Sequence, residues 1–184
     1  LMIKDGVPDL VVVGNVASST NPEWIYVNEQ NIPYLSYPEL IAKYIVQPNS
    51  IVCAGTYGKT TTAALMTWIL KQNGFDPSYM FGGVSLNGID SASISVLPPF
   101  RGELEGGYST SIKDLSVLEG DEYKTSRLDP RPKFAHYSPT HLLLTSVVWD
   151  HADVYPTEES YVAAFQKLFD AVPENGLRII SEKT

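Results

Sequence analysis

The sequence contains one cysteine, Cys53, in 184 residues. No internal disulfide can form, so stability rests on a packed core, and the lone thiol fits a reducing cytoplasm. Long apolar runs are also missing. None approaches the roughly 20 residues of a membrane helix, and the opening LMIKDGVPDL lacks the apolar stretch of a secretory signal. Positive charge is scarce: 13 Lys and Arg stand against 21 Asp and Glu, a net charge of −8. A surface that acidic repels nucleic acid backbones. These absences argue against membrane spans and nucleic acid partners. They leave a nucleotide open as a ligand, because a phosphate site needs only local positive charge.

What is present suits one globular domain, or a domain with a smaller piece attached. Strands and helices alternate, which predicts an α/β fold with a mainly parallel sheet flanked by helices. Leu10 to Val13, Ile51 to Ala54, Leu115 to Leu118, Leu142 to Val148 and Leu177 to Ile180 read as strands. Ser36 to Val46 reads as a helix with Pro38 in its first turn. Thr60 to Asn73 is the clearest helix: Ala63, Met66, Ile69 and Leu70 recur at helical spacing, and Gly74 is placed to cap it. Thr157 is placed to cap a helix running to Ala171, with Tyr161, Phe165, Leu168, Phe169 and Val172 on one face. Gly82 to Gly107 is rich in Gly, Ser and Pro and reads as short strands and loops. Pro48-Asn49 breaks the pattern and is a candidate domain boundary.

The string SIVCAGTYGKTTTAALMTWIL sets a strand, a glycine loop, a lysine and a helix in succession. A helix start carries unpaired N–H groups and the positive end of the helix dipole, both suited to an anion. Gly55 and Gly58 allow close backbone approach. Thr56, Tyr57 and Thr61 complete the loop that would cradle the phosphates of ATP. Lys59 would reach the β and γ phosphates, and Thr60 has the hydroxyl that ligates Mg2+ in such loops. The spacing is GxxGKT. The first glycine of the commoner GxxxxGK[ST] pattern would fall at Cys53.

Two further motifs lie at predicted strand ends. VLEGDEY carries Glu119, Asp121 and Glu122; VVWDHADVYP carries Asp150, His151 and Asp153. Carboxylates there suit Mg2+ ligation, and a histidine ligand to Mg2+ is less common. A polar turn at GDE and a helix cap at DHAD fit the same residues. His141 reads as a structural histidine, and His136, in KFAHY, is open between a structural and a functional role. Tyr123, Phe134 and Tyr137 read as packing groups.

AGTYGKTTT resembles the loop of the Mur ligases, ATP-dependent amide-forming enzymes of bacterial cell-wall synthesis. EGDEY, KFAHYSP, GGVSLN and WDHADVYP resemble one branch of that family. That branch joins UDP-N-acetylmuramate to the murein tripeptide L-Ala-γ-D-Glu-meso-diaminopimelate through an acyl phosphate, in peptidoglycan recycling. The resemblance implies a cytoplasmic enzyme using ATP and Mg2+, with Lys59, Glu119 and His151 catalytic and Thr60, Glu119 and His151 on metal. It gives Asp121 and Glu122 no definite role. It also implies a fragment: residues 1–46 closing a UDP-sugar-binding domain, residues 47–184 opening the central ATP-binding domain, and no C-terminal domain. Such a fragment is expected to be inactive as a ligase by itself. The branch that adds L-alanine is the near alternative, and an ATP-binding module without ligase activity is the alternative of another class. Thr145-Ser146 stands where the family usually has a TN-like pair, so the amide of that asparagine is missing here.

Overall fold

The computed structural model describes residues 6–95, 114–127 and 129–182. The chain opens with β1 (Val11–Val13), α1 (Pro22–Glu29) and β2 (Tyr34–Ser36). β1 and β2 pair in parallel as a separate two-stranded sheet. Neither α1 nor β2 was expected from the sequence. α1 buries only Val27, so it has no apolar stripe to read; its start is set by Asn21, whose Oδ1 accepts the N–H groups of Glu23 and Trp24 at 2.8 and 3.2 Å. α2 (Tyr37–Tyr44) begins as expected at Ser36, in a reciprocal capping box with Glu39. The Ser36 hydroxyl and N–H both donate to the Glu39 carboxylate at 2.7 Å, and these bonds hold its pKa below the usual carboxylate value.

The main body continues with β3 (Asn49–Ala54), α3 (Lys59–Gln72), β4 (Ser78–Met80), β5 (Ala92–Ser93) and β6 (Leu115–Gly120). It then runs through a 3-10 turn (Lys133–His136), β7 (His141–Leu144), α4 (Glu158–Ala171) and β8 (Arg178–Ile180). Six strands form one sheet in the order β5-β4-β6-β3-β7-β8. All neighbours run parallel except the β4–β5 pair. The central strands are buried on both faces, as their unbroken apolar runs require: Val52, Cys53, Ala54, Val117 and Leu118 have no exposed surface.

Strand alternation sorts the core into two layers. Val52, Ala54, Leu118, Leu142 and Leu144 pack with Tyr161, Phe165 and Leu168 of α4, and with Ile41 and Ile45 at the end of α2. Cys53, Val117, Tyr79 and Phe81 pack on the other side with Ala63, Met66 and Leu70 of α3. The buried stripe of α3 is Ala63 and Thr67, flanked by Met66 and Leu70. Ile69, read as part of that face, is exposed instead. At about 100° per residue it lies about 240° round the helix from Ala63. β7 is also shorter than read, ending at Leu144 rather than Val148. The part of Gly82 to Gly107 beyond Ser95 lies outside the described residues.

Candidate functional site

β3, β6 and β7 are adjacent and parallel, so their carboxyl ends lie side by side: the loop Gly55–Gly58, the acidic stretch from Glu119, and the segment from Thr145 to His151. This edge is where open α/β sheets hold ligands. The loop needs glycine at both ends. Gly55 sits at φ 133° and Gly58 at φ 81°. A Cβ on Gly55 would also collide with the Thr145 hydroxyl and come within 2.8 Å of the backbone N and O of Ser146.

After β7 Thr145 makes one more pair of contacts with the end of β3, and it and the residues that follow form the floor of the loop. Thr145 N–H donates to Ala54 O at 3.0 Å, and its hydroxyl lies 3.1 Å from Ala54 O and 2.5 Å from Tyr57 O. Thr56 N–H donates to Ser146 O at 2.9 Å, and Tyr57 N–H to the Ser146 hydroxyl at 3.1 Å. Ser146 thus supplies a loop contact through its own hydroxyl. The Thr56 hydroxyl is turned inward. It donates to Val148 O at 2.8 Å, accepts Val148 N–H at 2.9 Å, and lies 2.9 Å from the Tyr161 hydroxyl of α4. Thr56 therefore braces the loop, while the Tyr57 side chain is exposed and Thr61 faces solvent on the first turn of α3.

α3 starts differently from the other three α-helices among the described residues. α1, α2 and α4 carry side-chain caps from Asn21, Ser36 and Thr157, and each has a glutamate in its first turn. α3 has glycine at the cap, no side-chain cap bond and no acid in its first turn. Its leading N–H groups and the positive end of its dipole face the loop without a side-chain cap.

Two side-chain pairings converge on this helix start. The Thr60 hydroxyl donates to Glu119 Oε1 at 2.9 Å, while Glu119 Oε2 accepts Gly82 N–H at 2.6 Å. Lys59 Nζ donates to Thr56 O at 3.1 Å and to Glu122 Oε1 at 3.2 Å, with Glu122 Oε2 at 3.1 Å. Glu122 has no exposed surface. His151 Nε2 lies 3.2 Å from its Oε1, and the Tyr155 hydroxyl donates to its backbone O at 2.6 Å. Glu122, left without a role by the sequence, is thus the hub joining Lys59 to His151. A lone glutamate three residues past Glu119 gives no sign of that burial.

His151 adopts a left-handed backbone, φ 59°. The turn is held by Asp150 Oδ1, which accepts its N–H at 2.7 Å, and by its own carbonyl, which accepts Val154 and Tyr155 N–H at 2.8 Å. Asp153 is exposed. Asp121 pairs with Lys133 Nζ at 2.5 Å and accepts Tyr123 N–H at 2.8 Å. Beside Glu119 a cavity of about 210 Å³ is lined by Tyr37, Met80, Gly82, Asp121, Lys133 and Tyr137. His136 bonds Thr125 at 2.9 Å and faces Asp129 at 3.3 Å, and His141 bonds Thr140 at 2.9 Å, so both serve local structure.

The metal-ligand residues expected from sequence divide between the two pairings. Thr60 and Glu119 offer two hard oxygens at the helix start, a donor set that suits Mg2+. His151 lies with Glu122. Among the described residues no three His, Cys, Asp or Glu side chains form a metal-binding group. No helix among them is long and apolar enough to cross a membrane.

Residues 53–184 match the family described as the Mur ligase middle domain. The chain is 38% identical over 174 residues to the UDP-N-acetylmuramate–L-alanyl-γ-D-glutamyl-meso-2,6-diaminoheptandioate ligase of Escherichia coli (strain K12), covering 94% of this chain and 34% of that protein. It is 30% identical over 168 residues to the UDP-N-acetylmuramate–L-alanine ligase of Desulfitobacterium hafniense (strain Y51), covering 91% and 32%. The crystal structure of UDP-N-acetylmuramate:L-alanyl-γ-D-glutamyl-meso-diaminopimelate ligase from Neisseria meningitides superposes with a TM-score of 0.79 at 30% identity, covering 96% of this chain and 52% of that one. The chain spans about a third of the length of the curated relatives it matches.

Proposed function

The chain belongs to the Mur ligase family, through its middle domain, and from that premise we propose that it is the ATP-binding part of an ATP-dependent ligase. The ligase joins UDP-N-acetylmuramate to the tripeptide L-Ala-γ-D-Glu-meso-diaminopimelate in peptidoglycan recycling, in the cytoplasm. The observation that carries this reading is the uncapped start of α3, set in a two-glycine loop with Lys59 and the Thr60–Glu119 pair beside it. The tripeptide is favoured over L-alanine by the higher identity to the tripeptide ligase, 38% against 30%. On this reading residues 1–46 close the sugar-binding domain and residues 47–184 open the central one.

In the chemistry proposed, a carboxylate oxygen of UDP-N-acetylmuramate attacks the γ-phosphorus of ATP and the bond to ADP breaks. The tripeptide amine then attacks the acyl carbon, and phosphate leaves with the former carboxylate oxygen. Such transfers depend mainly on positioning and charge neutralisation. The loop and the N–H groups of α3 hold the phosphates. Lys59 supplies positive charge, and Glu122 sets where it lies. Thr60 and Glu119 would hold Mg2+; His151, which the family pattern also assigns to metal, stands apart from them beside Glu122. Bound at Thr60 and Glu119, the ion neutralises phosphate charge.

Phosphate release by the gene product carrying this chain tests the reading. Release should require Mg-ATP, UDP-N-acetylmuramate and the tripeptide together. Release with L-alanine in place of the tripeptide assigns the other branch, and ATP binding without release under either pairing leaves a nucleotide-binding module.

A further inference from the structure

We propose that Tyr123 is a positioning residue for His151, holding its imidazole through Nδ1 so that Nε2 stays turned toward Glu122 and the phosphate loop. The Tyr123 hydroxyl lies 2.7 Å from His151 Nδ1, and the two rings meet at 4.3 Å between centroids, tilted by 46°. On the far side of the imidazole, Nε2 faces the buried Glu122 carboxylate at 3.2 Å. An ionised carboxylate can only accept, so the tautomer that matches it has its proton on Nε2. In the neutral ring Nδ1 is then an acceptor, and the Tyr123 hydroxyl donates to it. The bridge runs from Tyr123 through His151 and Glu122 to Lys59.

Both ends of the bridge are anchored. Tyr123 N–H is taken by Asp121 Oδ1 at 2.8 Å, and its carbonyl accepts Lys133 N–H at 2.9 Å. The His151 turn is tied by Asp150 and by the N–H groups of Val154 and Tyr155. A hydroxyl also suits this place better than a carbonyl or carboxylate, because it both donates and accepts. It keeps its bond to the ring when Nδ1 bears the proton, the tautomer in which Nε2 presents its lone pair to a cation. The catalytic meaning of the contact rests on the ligase reading, but the contact itself does not.

The chain has three histidines, so ring-nitrogen NMR on 15N-histidine-labelled protein is tractable, with His151→Gln identifying the His151 signals. The Nδ1 resonance of His151 should lie at a hydrogen-bonded position. It should move in Tyr123→Phe, which keeps the ring contact, while the His136 and His141 signals stay in place. An Nδ1 signal unchanged by Tyr123→Phe overturns the proposal. So does an unbonded Nδ1 position in the unsubstituted chain, a result that needs no folded variant. In the gene product, Tyr123→Phe should lower kcat by roughly 10-fold with KM for ATP unchanged. A shifted Nδ1 signal with unchanged kcat overturns the positioning role. Should the gene product form no amide at all, the NMR arm still decides the contact, so the two failures are distinguishable.

Discussion

The Lys59–Glu122 pair sets the energetics of the site. Glu122 is fully buried, and the Lys59 side chain is 16% exposed. Removing one partner of such a pair strands the other charge, which costs more than the pair contributes by itself. Lys59→Ala should therefore lower stability by about 3 kcal/mol in urea unfolding. The double variant Lys59→Ala/Glu122→Ala should lose clearly less than the sum of the single losses, because the stranded carboxylate is gone. In the gene product, Lys59→Ala should cut turnover by at least ~100-fold, which steady-state kinetics will measure. Cys53 gives a pH test. Burial first, and then the Glu119 charge, pushes its thiol up to about 12. A folded pKa raised above the ordinary value of about 8.5 gives stability that is fully present below that pH and fades toward pH 12. Alkylation of Cys53 at pH 8 should follow the unfolding rate, and fast modification of the native chain would contradict the burial. At this scale the glycines, Lys59 and Thr60 were legible because one short motif carries them. Glu122 and Tyr123 were not, because their partners are distant in sequence: Lys59 lies 63 residues from Glu122, and His151 lies 28 residues from Tyr123 in the segment after β7.

At the scale of elements, the four α-helices among the described residues separate into three that start on a side-chain cap and one that does not. Thr157→Ala removes an ordinary cap. It should cost about 1 kcal/mol in denaturant unfolding and leave nucleotide affinity unchanged. Thr56→Val is close to isosteric, but it strips the hydroxyl shared by Val148 and Tyr161. It should cost about 2 kcal/mol and also weaken ATP binding in calorimetric titration, because the brace holds the loop. Equal effects of both variants on affinity would contradict this division. Helices with strong caps were readable: Thr157 and Ser36 both mark starts found in the structure. α1 was not readable, because it buries a single residue and leaves no periodic stripe. The early end of β7 was hidden for another reason. Thr145 to Val148 keep a strand-like composition, yet after one more bond to Ala54 of β3 the polar groups of Ser146 and Val148 turn to the glycine loop.

Across the whole molecule, the sheet order does the assembling. Because β6 and β7 flank β3, three sequence-distant motifs meet at one edge, and each pair of parallel neighbours fixes their relative depth. The α/β class and the mainly parallel sheet were legible from alternation alone. The order of strands was not, since it depends on crossovers that local pattern leaves open. On the ligase reading proposed above, a substrate carboxylate attacks the γ-phosphate of an ATP bound at this edge. The most direct test of that reading is to give the gene product UDP-N-acetylmuramate carrying 18O in both oxygens of its carboxylate, together with Mg-ATP and the tripeptide. Mass spectrometry of the released phosphate should find one 18O atom in each phosphate, with the other retained in the new amide. Phosphate released without label would mean that water takes the γ-phosphoryl group, and would contradict the ligase mechanism.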